Sequence, residues 1–97
     1  MKAVFIAYNQ AYNEEIVQLL EECGQRGYTL WTDIGGRGSL EGEPHLGSHA
    51  WPVQNHAVFT AVEDDKLAAI LEKVRAKDEA YPDLGLRAYA WTIEAAY

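Results

Sequence analysis

The order in which two helical stripes alternate with four strand-like runs limits the fold of this chain more than any other feature. In "EDDKLAAILEKVRAK" the apolar residues Leu67, Ile70, Leu71 and Val74 fall at i, i+3, i+4 and i+7, the repeat of one helix face. Asp64 and Asp65 stand at its start, with Lys73, Arg75 and Lys77 towards its end, so both termini match the helix dipole. In "NEEIVQLLEECG" the residues Ile16, Val17, Leu19, Leu20 and Cys23 take helical spacing. Asn13 is placed to cap, Glu14 and Glu15 suit the positive end of the dipole, and Gly24 supplies a stop. Dipole complementarity accounts for these acidic pairs without a catalytic role.

Four runs carry strand signals. "AVFIAY", Ala3 to Tyr8, is apolar and rich in β-branched and aromatic residues, as a mostly buried strand requires. "GYTLWTDI", Gly27 to Ile34, alternates Tyr28, Leu30, Thr32 and Ile34 against Thr29, Trp31 and Asp33. "HAVFTAV" sets His56, Val58, Thr60 and Val62 opposite Ala57, Phe59 and Ala61. "LRAYAWTIE", after the break at Pro82 and Gly85, sets Arg87, Tyr89, Trp91 and Ile93 opposite Ala88, Ala90 and Thr92. The order βαββαβ predicts an α+β, ferredoxin-like domain over residues 1–97, with an antiparallel four-stranded sheet and two helices on one face. The other face is left uncovered. With either the bulky or the alanine set of the last strand on it, a wide apolar surface meets water, and such surfaces mark interfaces; a homo-oligomer is expected.

Charge and cysteine usage exclude some functions. Net charge is −7 and the eight Lys and Arg form no basic stripe, so a nucleic-acid backbone is not an expected partner. The single Cys23 cannot form an internal disulfide, and "MKAVFIAYNQ" turns polar too soon for a signal peptide. With no apolar run long enough to insert in a membrane, the expected location is the cytoplasm. Cys23 falls on the apolar face of its helix and reads as a small buried hydrophobe.

The stretch "GGRGSLEGEPHLGSHAWPVQ", Gly35 to Gln54, joins the middle strands and contains five glycines. Loops of this length within one domain are uncommon and are usually functional or disordered. Arg37, between Gly36 and Gly38, has the composition of an anion clamp: glycines let backbone N–H groups approach, and the guanidinium offers two donors. Glu43, His45 and His49, with His56 beyond them, are side chains suited to a divalent transition metal such as Zn, Ni or Cu, although Pro44 and Gly47 oppose the helix on which an H-x3-H spacing would ligate. Trp51, beside Pro52, either anchors a partner or pins the loop to the sheet.

Two segments resemble the nitrogen regulatory PII proteins and their PII-like relatives. "GQRGYTLWTDIGGRG" is similar to the family's passage from a helix-ending glycine through the second strand to the Gly-Arg that begins the T-loop. "VEDDKLAAILEKV" is similar to the stretch after the third strand, where an acidic pair starts the second helix. The resemblance implies a homotrimer with sheets lining a central core, adenine nucleotides in clefts between subunits, and a T-loop, here residues 35–54, that contacts a membrane transporter or enzyme. Carried over by position, Gly27 and Thr29 match the strand bordering the cleft, Gly36 and Arg37 the T-loop base, and Val62, Glu63 and Asp64 the end of the third strand beside the adenine. Gly85 and Arg87 stand in for the glycine and cation of the family's B-loop, which "DEAYPDLGLR" shortens. Gly38 replaces the glutamine that helps hold Mg-ATP, and the loop has no tyrosine for nucleotidylation. These departures point from ATP and 2-oxoglutarate sensing to a diverged PII-like protein with another ligand.

Three functions follow. The first is a non-enzymatic PII-like signalling trimer binding a small anion or nucleotide. The second is a metal-binding trimer resembling the divalent-cation tolerance proteins, using Glu43, His45, His49 and His56. The third is a small enzyme using the open sheet face as a pocket. No Ser-His-Asp set, P-loop or dinucleotide fingerprint supports the last.

Overall fold

A computed structural model describes residues 1–36, 54–82 and 85–97. The elements are β1 (Lys2–Asn9), α1 (Asn13–Glu22), β2 (Thr29–Ile34), β3 (Asn55–Val62), α2 (Leu67–Ala80) and β4 (Arg87–Thr92). The strands form one sheet in the order β2-β3-β1-β4, with every neighbouring pair antiparallel. This is the expected ferredoxin-like arrangement.

Strand alternation decides what faces the helices. Val4, Ile6 and Tyr8 of β1 and Val58 and Val62 of β3 join Ile16, Leu19 and Leu20 of α1 and Ile70 and Val74 of α2 in one buried cluster. Leu30 and Ala88 pack on its margin, as does Cys23. The opposite face carries Phe5, Phe59, Trp31, Tyr89 and Trp91, with Phe5 in register with Phe59 on one side and Tyr89 on the other. Phe5 approaches Trp31 at 6.2 Å between ring centroids, and Phe59 approaches Trp91 at 6.1 Å. Trp31, Trp91 and Tyr89 remain 46%, 50% and 59% exposed. The structure thus puts the alanine set of β4 under the helices and the bulky set on the open face.

Helix ends follow local chemistry. Asn9, not Asn13, is the capping asparagine: its side chain accepts from the Ala11 N–H at 2.9 Å and starts a 3₁₀ turn over Gln10–Tyr12. Asn13 instead takes the Tyr8 hydroxyl on its Oδ1 at 2.6 Å. At the far end Gly24, at φ +75°, lets its own N–H reach the Glu21 carbonyl while the Gln25 N–H reaches that of Leu20, the paired bonds of a glycine-terminated helix. The acidic pair Asp64 and Asp65 forms a 3₁₀ turn through Lys66 before α2 begins.

One departure from simple alternation matters for the site. Trp31 pairs with Ala57, yet Ile34 pairs with Asn55, so β2 carries an extra residue between them. Asp33 absorbs it at φ +57°, a left-handed conformation that aspartate tolerates better than most side chains. The bulge moves Ile34 from the helix-facing set, where alternation from Leu30 would leave it, to the recess on the open face shared with Phe5 and Ala7.

Candidate functional site

The feet of the long connection between β2 and β3 are fixed to the sheet. Gln54 donates its side-chain amide to the Asp33 carbonyl at 3.2 Å, and its carbonyl accepts from the Gln10 N–H at 3.0 Å. His56 places Nε2 3.6 Å from the Asp33 carboxylate and stands edge-on to Tyr8. Its Nδ1 is buried and has no hydrogen-bond partner among the described residues. Burial, with a smaller contribution from Tyr28, pushes the Tyr8 hydroxyl up to about 12, so it stays a neutral donor to Asn13.

Beside these feet a recess of about 260 Å³ opens on the uncovered face. Ile34, Gly35 and Gly36 form one wall, Phe5, Ala7 and Asn55 its floor, and Gly85, Arg87 and Tyr89 the other wall. Gly36 lies so close to β3 that a Cβ would sit 2.8 Å from the Asn55 amide nitrogen. Arg87 is the one charged side chain among the described lining residues. Its Nη1 donates to the Leu86 carbonyl at 2.6 Å and lies 3.4 Å from Asp78 on α2. A backbone that can approach closely, next to a guanidinium, has the chemistry to hold a small anion.

Of the remaining candidates, Gly27, Val62, Glu63 and Asp64 lie towards the opposite end of the sheet and Thr29 near its middle. Gly27 precedes β2, and its carbonyl accepts from Thr60 at 2.5 Å and from Gln25. Gln25 also reaches Thr60 Oγ1 and the Ala61 carbonyl. Thr29 is exposed and pairs with Phe59. Val62 is buried, and Glu63 is exposed just beyond it. The Asp64 carboxylate meets the Met1 ammonium at 2.7 Å, whose hydrogen bond, then its charge, hold the carboxyl below its usual range. At about 3.3 Å per residue, the seven steps of β3 put Val62 about 23 Å from Asn55 at the recess, whereas Thr29, opposite Phe59, is four steps from Asn55, about 13 Å along the strand. Within one chain Gly36, Gly85 and Arg87 therefore come together, while Gly27, Val62, Glu63 and Asp64 form a second group at the far end of the sheet and Thr29 lies between the two.

Arg37, Glu43, His45, His49 and Trp51 lie outside the described residues. Among the described residues no three His, Cys, Asp or Glu side chains are grouped to hold a metal, and no helix is long and apolar enough to cross a membrane. No motif or spacing in the sequence singles out Asn55 or Asp78. Nothing in the spacing of Asp78 and Arg87, across the turn after α2, announces that they meet, whereas Phe5 and Tyr89 could have been placed beside Arg87 from strand parity.

A family model, nitrogen regulatory protein P-II, matches residues 1–94. No curated protein sequence matches the chain. Among solved structures, the PII-like protein CPII of Thiomonas intermedia K12, bound to ADP, AMP and bicarbonate, superposes with a TM-score of 0.77 at 21% identity, covering 99% of this chain and 92% of that one. Another structure of CPII, with ADP and bicarbonate, gives 0.73 at 21% identity over 97% and 88%. A PII-like signalling protein of Thermus thermophilus gives 0.67 at 25% identity over 95% and 85%.

Proposed function

This chain belongs to the nitrogen regulatory protein P-II family, and we propose that it is a regulatory protein rather than an enzyme, a homotrimer that binds an adenine nucleotide or another small anion in the clefts between its subunits. The observation that carries the reading is the division of the candidate residues between the two ends of one sheet. A second copy, laid with its Gly27, Val62 and Glu63 end against the Gly36, Gly85 and Arg87 end of the first, brings the halves together without any change of fold. The aromatic open face supplies the surface that holds the copies. CPII, which shares the fold, is bound to ADP, AMP and bicarbonate in one structure and to ADP, AMP and acetate in another; this supports an anionic ligand here.

In this reading Arg87 meets the ligand's negative charge, the close backbone at Gly36 and Gly85 accommodates it, and Arg37 is a second cation at the base of the loop. Ligand binding at Gly36 changes the loop 35–54 that leaves from it, and the loop contacts a target, a membrane transporter or an enzyme, in nitrogen regulation. Calorimetric titration with ADP, AMP and bicarbonate tests the site. Arg87→Ala removes a charge-assisted contact and weakens binding by about tenfold to a hundredfold. A wild type that binds none of the three, or an Arg87→Ala protein that binds like the wild type, refutes the proposal.

A further inference from the structure

Asp78 is absent from the recess lining, yet it reaches the recess's only described cation from behind. It projects from the last turns of α2, and its Oδ1 lies 3.4 Å from Arg87 Nη1. That is longer than the 2.7–2.9 Å of a tight charge-assisted bond. The contact uses one nitrogen and one oxygen, and both side chains are about one-third exposed, at 37% and 34%. The same nitrogen donates to the Leu86 carbonyl at 2.6 Å, so the guanidinium keeps an anchor if Asp78 leaves. Nε and Nη2 have no hydrogen-bond partner among the described residues.

Building on the anion site above, we propose that Asp78 is a built-in counter-anion: it holds Arg87 while the recess is empty and gives it up to the ligand's anion. Two consequences follow. Asp78 lowers the affinity for anions by competing for the guanidinium, and a ligand that draws Arg87 forward frees the carboxylate at the C-terminal end of α2. Binding is thereby registered at a helix end as well as in the loop. The Tyr81 N–H, shared between the Lys77 and Asp78 carbonyls at 3.2 Å each, lies in the turn that would feel the release.

The test compares wild type, Asp78→Asn and Asp78→Ser, each titrated with ADP, bicarbonate and acetate, with hydrogen exchange followed at the amides of residues 77–81. Removing the charge is expected to tighten anion binding by about twofold to fivefold, the range that partly exposed ion pairs command. Added ligand should speed exchange at residues 77–81 in the wild type and leave it unchanged in both variants. If both variants bind at wild-type strength or more weakly, or show the same ligand-dependent exchange as the wild type, Asp78 is not a counter-anion, although the site itself stands. If the wild type binds none of the probes, the site fails and this inference with it. Thermal midpoints without ligand check that each variant is folded.

Discussion

Trp91→Ala separates the stability of the subunit from that of the proposed trimer. Trp91 is half exposed in the isolated chain. A tryptophan offers about 150–250 Å² for burial, so about 100 Å² per copy is left for a neighbour to cover. At about 25 cal/mol per Å² this is about 2.5 kcal/mol per copy, or about 7.5 kcal/mol over a trimer. A tenfold change in an equilibrium constant takes about 1.4 kcal/mol. The trimer dissociation constant should therefore rise by about five orders of magnitude. Because that constant scales with the square of concentration, the midpoint of dissociation moves by between two and three orders.

The folded subunit loses less than the trimer. The half of Trp91 covered within the chain is worth about 2.5 kcal/mol by the same area rule, and its ring contact with Phe59 from the edge strand β4 adds about 0.5–1.5 kcal/mol. Sedimentation velocity across a dilution series, with circular dichroism at each concentration, reads the two effects apart. The expected result is a folded Trp91→Ala subunit that dissociates where the wild type stays trimeric and loses nucleotide affinity in parallel, since half of each cleft leaves with the neighbour. A variant whose assembly midpoint is unmoved, or a wild type that is monomeric throughout, would show that the open face is not the subunit contact.

Tyr8→Phe removes the donor to Asn13 and should cost about 1 kcal/mol near neutral pH. It should also flatten the alkaline loss of stability. The hydroxyl is raised from 10.0 to about 12, so between those values the unfolded chain releases a proton that the folded chain keeps. Stability therefore falls as pH rises through this window, by about 3 kcal/mol at most; urea unfolding at pH 10 and pH 12 should show that fall in the wild type and a smaller one in the variant. Gly36→Ala drives a Cβ to within 2.8 Å of the nearly buried Asn55 amide. Ligand binding should weaken while the thermal midpoint changes little, and an unchanged affinity would remove Gly36 from the site.

Much of the fold was legible because parity and helical stripes agree. The alternation that pairs Val58 with Val62 and the stripe holding Ile70 and Val74 identify the helix-facing surface from spacing alone. Alternation does not say which of two sets turns inward, and in β4 that was left open. Ala88 packs at the margin of the cluster that contains Ile70 and Val74, whereas Tyr89 and Trp91 stay on the open face. Ile34 was misplaced for a different reason: a single left-handed residue, Asp33, shifts the register behind it, and no period records that. The asparagine cap was misassigned because Asn9 and Asn13 both precede helical backbone, and what distinguishes them is the Tyr8 hydroxyl that claims Asn13. Asp78 and Arg87 meet through the fold of the turn between them, which no spacing rule encodes.

The bulge and the open face bear on the same site. Without the extra residue at Asp33, Ile34 would point towards the helices and Gly36 would leave the strand in the opposite sense, so the recess would lose a wall. With it, the connection leaves on the face that also carries Trp31, Phe5 and Tyr89. The open face proposed to recruit a neighbour and the recess proposed to hold an anion are thus continuous, and Arg87 stands where they meet, opposite Ala7 in the ladder. A protein that built its anion site on the helix side could work as a monomer. With the proposed site here, and Val62, Glu63 and Asp64 at the other end of β3, about 23 Å from Asn55, assembly would be a condition of binding, which is why Trp91→Ala and Arg87→Ala should fail in the same titration for different reasons.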